Sequence, residues 1–132
     1  MIEAISGIFL DKSKALLLQR AAQRTRNPNK WDLVGGDIQE GEDPEEVLLR
    51  DAKDKLGVDT VSIRTRGILE LMGDPDIVRR HYFVCQGDYS NIVLDLSKYQ
   101  QFDWCTPSQT YRRKLVPGVK EILTHIKFYK QF

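Results

Sequence analysis

Cysteine is scarce in this chain of 132 residues: there are two, Cys85 and Cys105. They lie far apart, lack metal-ligand spacing, and sit among apolar or aromatic neighbours, which predicts a pair of buried thiols. Histidine is equally rare, at two residues, and His81 reads as a satisfied or surface histidine rather than a base. No Ser/His/Asp or Cys/His set stands out. Long apolar runs are missing too, so nothing approaches the length of a membrane span. The apolar start, Ile2–Leu10, is short and has no cleavage pattern, so the expectation is a cytoplasmic protein with no membrane partner. Excess charge is also absent. Twenty Lys and Arg against 19 Asp and Glu leave a formal charge of +1, which gives no general pull toward nucleic acid or membrane. Any attraction for phosphates must be local.

Apolar content of 41% with 30% charged residues marks a chain that folds rather than one that stays disordered. Linkers, repeats and low-complexity segments are lacking, so residues 1–132 are expected to form one domain with a core that needs no staples. Residues 1–10 read as a buried strand, and Asp11-Lys12-Ser13 as the turn leading into a second strand over 15–19. A basic loop follows, with Arg20, Arg24, Arg26 and Lys30 around Asn27-Pro28-Asn29. It is either a solvated surface loop or a positive mouth for phosphates. Trp31 reads as a packing residue ahead of a short strand that ends at Gly35-Gly36. Strands are predicted over 60–72, with a bulge at Gly67, and over 77–86, joined by a turn at 73–76. A last strand begins at Phe102, a helix at Thr106-Pro107, and a closing helix spans 117–128.

The stretch 35–58 carries the chemistry. Asp43 suits an N-cap, Pro44 the first helical position, and Glu46 the third, while Gly57 suits the stop. At about 100° per residue, Leu48, Leu49, Ala52 and Leu56 share one face, with Arg50, Asp51 and Asp54 opposite and Lys55 on the flank. An amphipathic helix with a solvated charged side explains this pattern, and so does a row of carboxylates aimed into a cleft.

The spacing Gly36, five residues, Glu42, seven residues, Arg50, then acids and Gly57-Val58 resembles the Nudix box. That box reads G, five residues, E, seven residues, REUXEEXGU, with U aliphatic. Asp51 and Asp54 stand where the family has glutamates, and Lys55 where it has its last glutamate. The entering strand is similar to the family's W-x-x-P-G-G, with Val34 in place of proline. The resemblance covers nearly the whole chain and implies a Nudix-like α/β/α sandwich with a mixed sheet. It further implies hydrolysis of the diphosphate linkage of a nucleotide or nucleoside-diphosphate derivative. The cofactor would be Mg²⁺, with Mn²⁺ as substitute, and the partner a nucleotide-type small molecule, with capped RNA the one nucleic acid in view.

Residue by residue, the resemblance assigns Gly36, Asp51 and Asp54 to the metal, with Glu42 or Glu46 in support. Arg50 would orient Asp51. Arg20, Arg24, Arg79 and Arg80 are candidate phosphate contacts if they line the cleft. Two departures bear on this set. Aspartate is shorter than glutamate by about 1.5 Å. Lys55 brings an ammonium to a ligand position. Unit charges about 4 Å apart at an effective dielectric of about 20 repel by about 4 kcal/mol, and a divalent ion roughly doubles that. The family's further glutamate before the late tryptophan is missing, with Asp95 or Glu70 as possible substitutes. Three readings stay open: a metal-dependent hydrolase with an unusual ion site, a binding module in which Lys55 contacts phosphate directly, and a scaffold for another protein.

Overall fold

The apolar start of the chain becomes β1 (Ile2–Asp11), which turns back at Lys12-Ser13 into β2 (Lys14–Arg20). This computed structural model describes residues 1–72 and 76–130. Two short strands, β3 (Trp31–Asp32) and β4 (Val34–Asp37), lead into helix α1 (Pro44–Leu56). A long hairpin follows, β5 (Asp59–Met72) and β6 (Ile77–Asp88). The chain then adds β7 (Tyr99–Cys105), α2 (Pro107–Tyr111), α3 (Val119–His125) and a 3-10 turn over Phe128–Lys130.

The strands form one mixed sheet in the order β3-β2-β1-β6-β5, with β4 paired to β1 and β7 to β2. β1 and β6 run parallel, and the other pairs are antiparallel. From Ala4 to Leu10, β1 is buried on both faces, and alternation sends its side chains into two separate cores. Ile8 and Leu10 pack with Val119, Ile122 and Leu123 of α3. Ile5 and Phe9 pack with Val47, Leu48, Ala52 and Leu56 of α1. A sheet covered by helices on both sides is the α/β/α sandwich that the resemblance implied. No helix among the described residues is long and apolar enough to cross a membrane.

Several local expectations need correction. Leu49 is 40% exposed, and Val47 takes its place in the core. Taking Leu48 as zero, Leu49 lies about 100° to one side, whereas Val47 and Asp51 lie about 100° and 60° to the other. The buried arc of α1 is therefore centred between Asp51 and Ala52, and Asp51 itself is only 7% exposed. The entering strand splits at Leu33, because Trp31–Asp32 pairs with β2 and Val34–Asp37 with β1. The bulges of β5 fall at Thr60/Ser62 and Ile63/Thr65, not at Gly67. Gly67 instead makes room for a ring, since a Cβ there would meet the Tyr82 hydroxyl at 2.3 Å. β7 starts at Tyr99, earlier than expected, and the closing helix stops at His125, with Lys127 at φ 63. Of the turn expected at 73–76, residues 73–75 lie outside the described residues. Both cysteines are buried free thiols, and Trp31 is a buried packing residue under the Arg113 guanidinium.

Candidate functional site

The site grows from the ends of α1. At its start, Asp43 Oδ2 accepts from the Glu46 amide at 3.1 Å, satisfying one of the free donors of the first turn. At its end, Gly57 takes φ 69 and directs its N–H to the carbonyls of Ala52 and Lys53. Two further carbonyls of the last turn are met by the loop after β6. The Val93 amide donates to Leu56 O at 2.9 Å and the Asp95 amide to Lys55 O at 2.8 Å. These contacts fix the turn that carries Asp51 and Lys55.

Lys55 Nζ donates to Gly35 O at 2.9 Å and to Asp51 Oδ2 at 3.3 Å. The Asp51 carboxylate is thus buried with its charge compensated, as a buried charge requires. Its other oxygen lies 3.6 Å from Arg50 Nε, and Arg50 Nη1 reaches Glu42 Oε2 at 2.7 Å. Glu42 also accepts from the Gln39 amide at 2.8 Å, which closes the loop before the helix. The Arg50 hydrogen bond holds Glu42 below the usual carboxylate range, and Glu42 in turn raises Arg50. Gly36 is bare where the helix meets the strand. A Cβ there would lie 2.3 Å from Asp51 Oδ2 and 3.0 Å from Lys55 Nζ, so only glycine leaves this space open.

Next to this turn is a cleft of about 300 Å³. Six of its lining residues are cationic, Arg20, Arg24, Arg26, Lys55, Arg80 and Lys98, against two acids, Asp32 and Asp37. In a chain of net charge +1, that is a strong local concentration. Arg20 is tied down by Asp32 at 3.4 Å and by the Arg26 carbonyl at 3.0 Å. Burial, followed by the neighbouring Arg24, lowers the Arg20 pKa, while Asp32 opposes the shift. Arg80 donates from Nη1 to Ser6 Oγ at 3.1 Å, and its buried Nε has no hydrogen-bond partner among the described residues. Arg24 stands over the Tyr99 ring, 5.9 Å from its centroid.

The fold thus brings Gly36, Asp51, Lys55, Arg20, Arg24 and Arg80 together, and leaves others out. Asp54 is exposed and does not line the cleft. It lies about 120° from Leu48, beyond the edge of the buried arc. Arg79 alternates with Arg80 onto the opposite face of β6, where it pairs with Glu70 at 2.8 Å and Glu3 at 3.2 Å. Glu70 is therefore already engaged, and Asp95 is bound to Ser97 Oγ at 2.6 Å. Arg26 was expected only as part of the basic loop, one of whose two readings was a mouth for phosphates, and Lys98 was missed as a cleft residue. Arg26 belongs to the visible basic run. Lys98 gave no signal, because it arrives through a long-range bond, Ala21 N to Lys98 O at 2.9 Å.

These residues do not fit a divalent ion as the resemblance implied. An ammonium lies between the Gly35 carbonyl and the Asp51 carboxylate. Among the described residues, no group of three or more His, Cys, Asp or Glu side chains could hold a metal ion. Mg²⁺ wants hard oxygen ligands in near-octahedral array, and this turn offers one buried carboxylate already paired with a cation.

Comparison with known proteins places the chain in context. The sequence matches the family described as NUDIX domain over residues 2–126. It is 24% identical over 118 residues to a CTP pyrophosphohydrolase from Escherichia coli (strain K12), covering 89% of this chain and 85% of that protein. The fold is similar to the NUDIX domain of Shewanella oneidensis NrtR complexed with ADP ribose, with TM-score 0.80 and 16% identity over 96% of this chain and 86% of that one. It is also similar to the E. coli ORF135 protein, with TM-score 0.73 and 21% identity, covering 94% and 91% of the two chains.

Proposed function

The chain belongs to the NUDIX domain family, and from that premise we propose that it binds a nucleotide-type ligand by its phosphates in the cationic cleft. In this reading Lys55 stands in for the divalent ion, and hydrolysis is slow or absent. The observation that carries it is the Lys55 ammonium, held between Gly35 O and Asp51 Oδ2 at the C-terminal turn of α1. An ammonium has three donors. Two are directed at those oxygens, and the third is available to a phosphate oxygen. Around it, Arg20, Arg24, Arg80 and Lys98 supply the charge that a phosphate needs. Guanidinium groups match phosphate oxygens in pairs, which adds direction to the attraction.

A second reading, metal-assisted hydrolysis, has its own support in the intact chain Glu42–Arg50–Asp51 and in the pyrophosphohydrolase among the relatives. One experiment separates the two. The protein is titrated with a panel of nucleotides, with EDTA or with Mg²⁺, and its thermal stability is followed while released phosphate and pyrophosphate are assayed. Binding without metal predicts stabilisation in EDTA, about 2.7 kcal/mol at a hundredfold excess over Kd, with little product. Mg²⁺-dependent release with no stabilisation in EDTA would establish the hydrolase instead. No response to any nucleotide would leave only a scaffold for another protein.

A further inference from the structure

Strand β5 stands at one end of the sheet, and among the described strands it pairs with β6 alone. Its outer edge therefore carries backbone donors and acceptors with no strand beside them. Proteins blunt such edges with bulges, proline or lysine. The bulges of β5 fall at Thr60/Ser62 and Ile63/Thr65, and from Thr65 to Met72 its register with β6 is regular. That stretch, TRGILELM, holds no proline and no lysine. Alternation sets Arg66, Ile68, Glu70 and Met72, all exposed, on one face. Leu69 and Leu71 turn to the other face and pack on the core under α3. Ile68 is 57% exposed and Met72 74%, so the bare edge also carries uncovered apolar surface.

The exposed row is complementary to itself. When two such strands run antiparallel about a two-fold axis at Ile68, that residue faces its own copy. Arg66 of each strand then faces Glu70 of the other. Opposite charges directly across a strand pair attract, and like charges repel. With the axis one residue to either side, Ile68 lies opposite Arg66 or Glu70. With the axis two residues away, Arg66 or Glu70 lies opposite itself. The charges thus favour a single register. Glu70 has room for a second cation, because both bonds from Arg79 fall on its Oε1, at 3.1 and 2.8 Å.

We infer that the β5 edge is a docking surface for a second copy of this chain, paired antiparallel over residues 66–70 with Ile68 on the two-fold axis, so that two sheets become one. The contact is one strand wide, so the dimer belongs to the weak, concentration-dependent class. None of these residues lines the cleft, and the inference stands apart from the ligand reading.

Sedimentation velocity of the full chain, from about 1 µM to about 1 mM, should show the monomer giving way to a species of twice its mass. Ile68→Lys sets two ammonium groups across the axis and should weaken association at least tenfold. Arg66→Glu and Glu70→Arg each set like charges opposite one another and should do the same. Mixing those two variants brings unlike charges together again and should restore association, an outcome that misfolded chains would not give. A chain that stays monomeric throughout overturns the inference. A dimer that Ile68→Lys leaves intact overturns its location. A dimer broken by Ile68→Lys but not restored in the mixture overturns the register. Growth beyond the dimer overturns the two-fold arrangement.

Discussion

Lys55 does two jobs with one charge. It neutralises the buried Asp51 carboxylate and holds the Gly35 carbonyl, tying α1 to β4. Removing the ammonium in Lys55→Met leaves the buried Asp51 with only Arg50 Nε at 3.6 Å, which costs about 1–3 kcal/mol. A urea melt should record a lower midpoint at unchanged slope. Lys55→Glu goes further, setting a second carboxylate beside Asp51 and the Gly35 carbonyl. Such a pair is unstable alone and suits a hard cation. The variant should therefore melt below the parent in EDTA and recover when Mg²⁺ is added, while the parent shows no Mg²⁺-dependent shift. A Lys55→Glu protein indifferent to Mg²⁺ would reject this turn as the place where the ion is replaced.

At the scale of elements, the caps decide where α1 begins and ends. Asp43→Ala removes the side-chain acceptor of the first turn and should lower stability by about 1 kcal/mol, read by thermal unfolding. These caps were legible from residues 43–46 and Gly57, because capping is local chemistry. The hairpins were legible for the same reason. The position of Asp51 was not. Its burial depends on Val47 rather than Leu49 joining the core, and β1 and β6 select that arc only once the sheet exists. Periodicity gives a helix its faces but not which neighbour covers them. Arg79 and Arg80 illustrate the same limit. Adjacent in sequence, they are sent to opposite faces by strand alternation, one to the cleft and one to Glu70 and Glu3. Lys98 lay beyond reach because it joins the cleft through a contact with Ala21 that nothing nearby in sequence announces.

Across the whole molecule, the two-sided core sets how stability responds to pH. Burial pushes the Cys85 thiol up to about 12, and likewise the Tyr89 hydroxyl to about 12. In the unfolded chain a cysteine titrates near 8.5 and a tyrosine near 10. Both folded values are raised, so the folded state holds more protons than the unfolded one over that interval. Stability is therefore full below about pH 8.5 and declines as pH rises toward about 12. Chemical denaturation at pH 7, 9 and 10.5 should show this decline, and Cys85→Ala should reduce its slope between pH 9 and 10.5.

The segment that closes the last turn of α1 through Val93 and Asp95 continues directly to Lys98 in the wall of the cleft. A guest gripping that lysine therefore tugs on the same strap that buckles the helix shut. Occupancy would tighten the buckle, and deuterium uptake at the amides of Val93 and Asp95 should slow when the cleft is filled, although neither amide touches the guest.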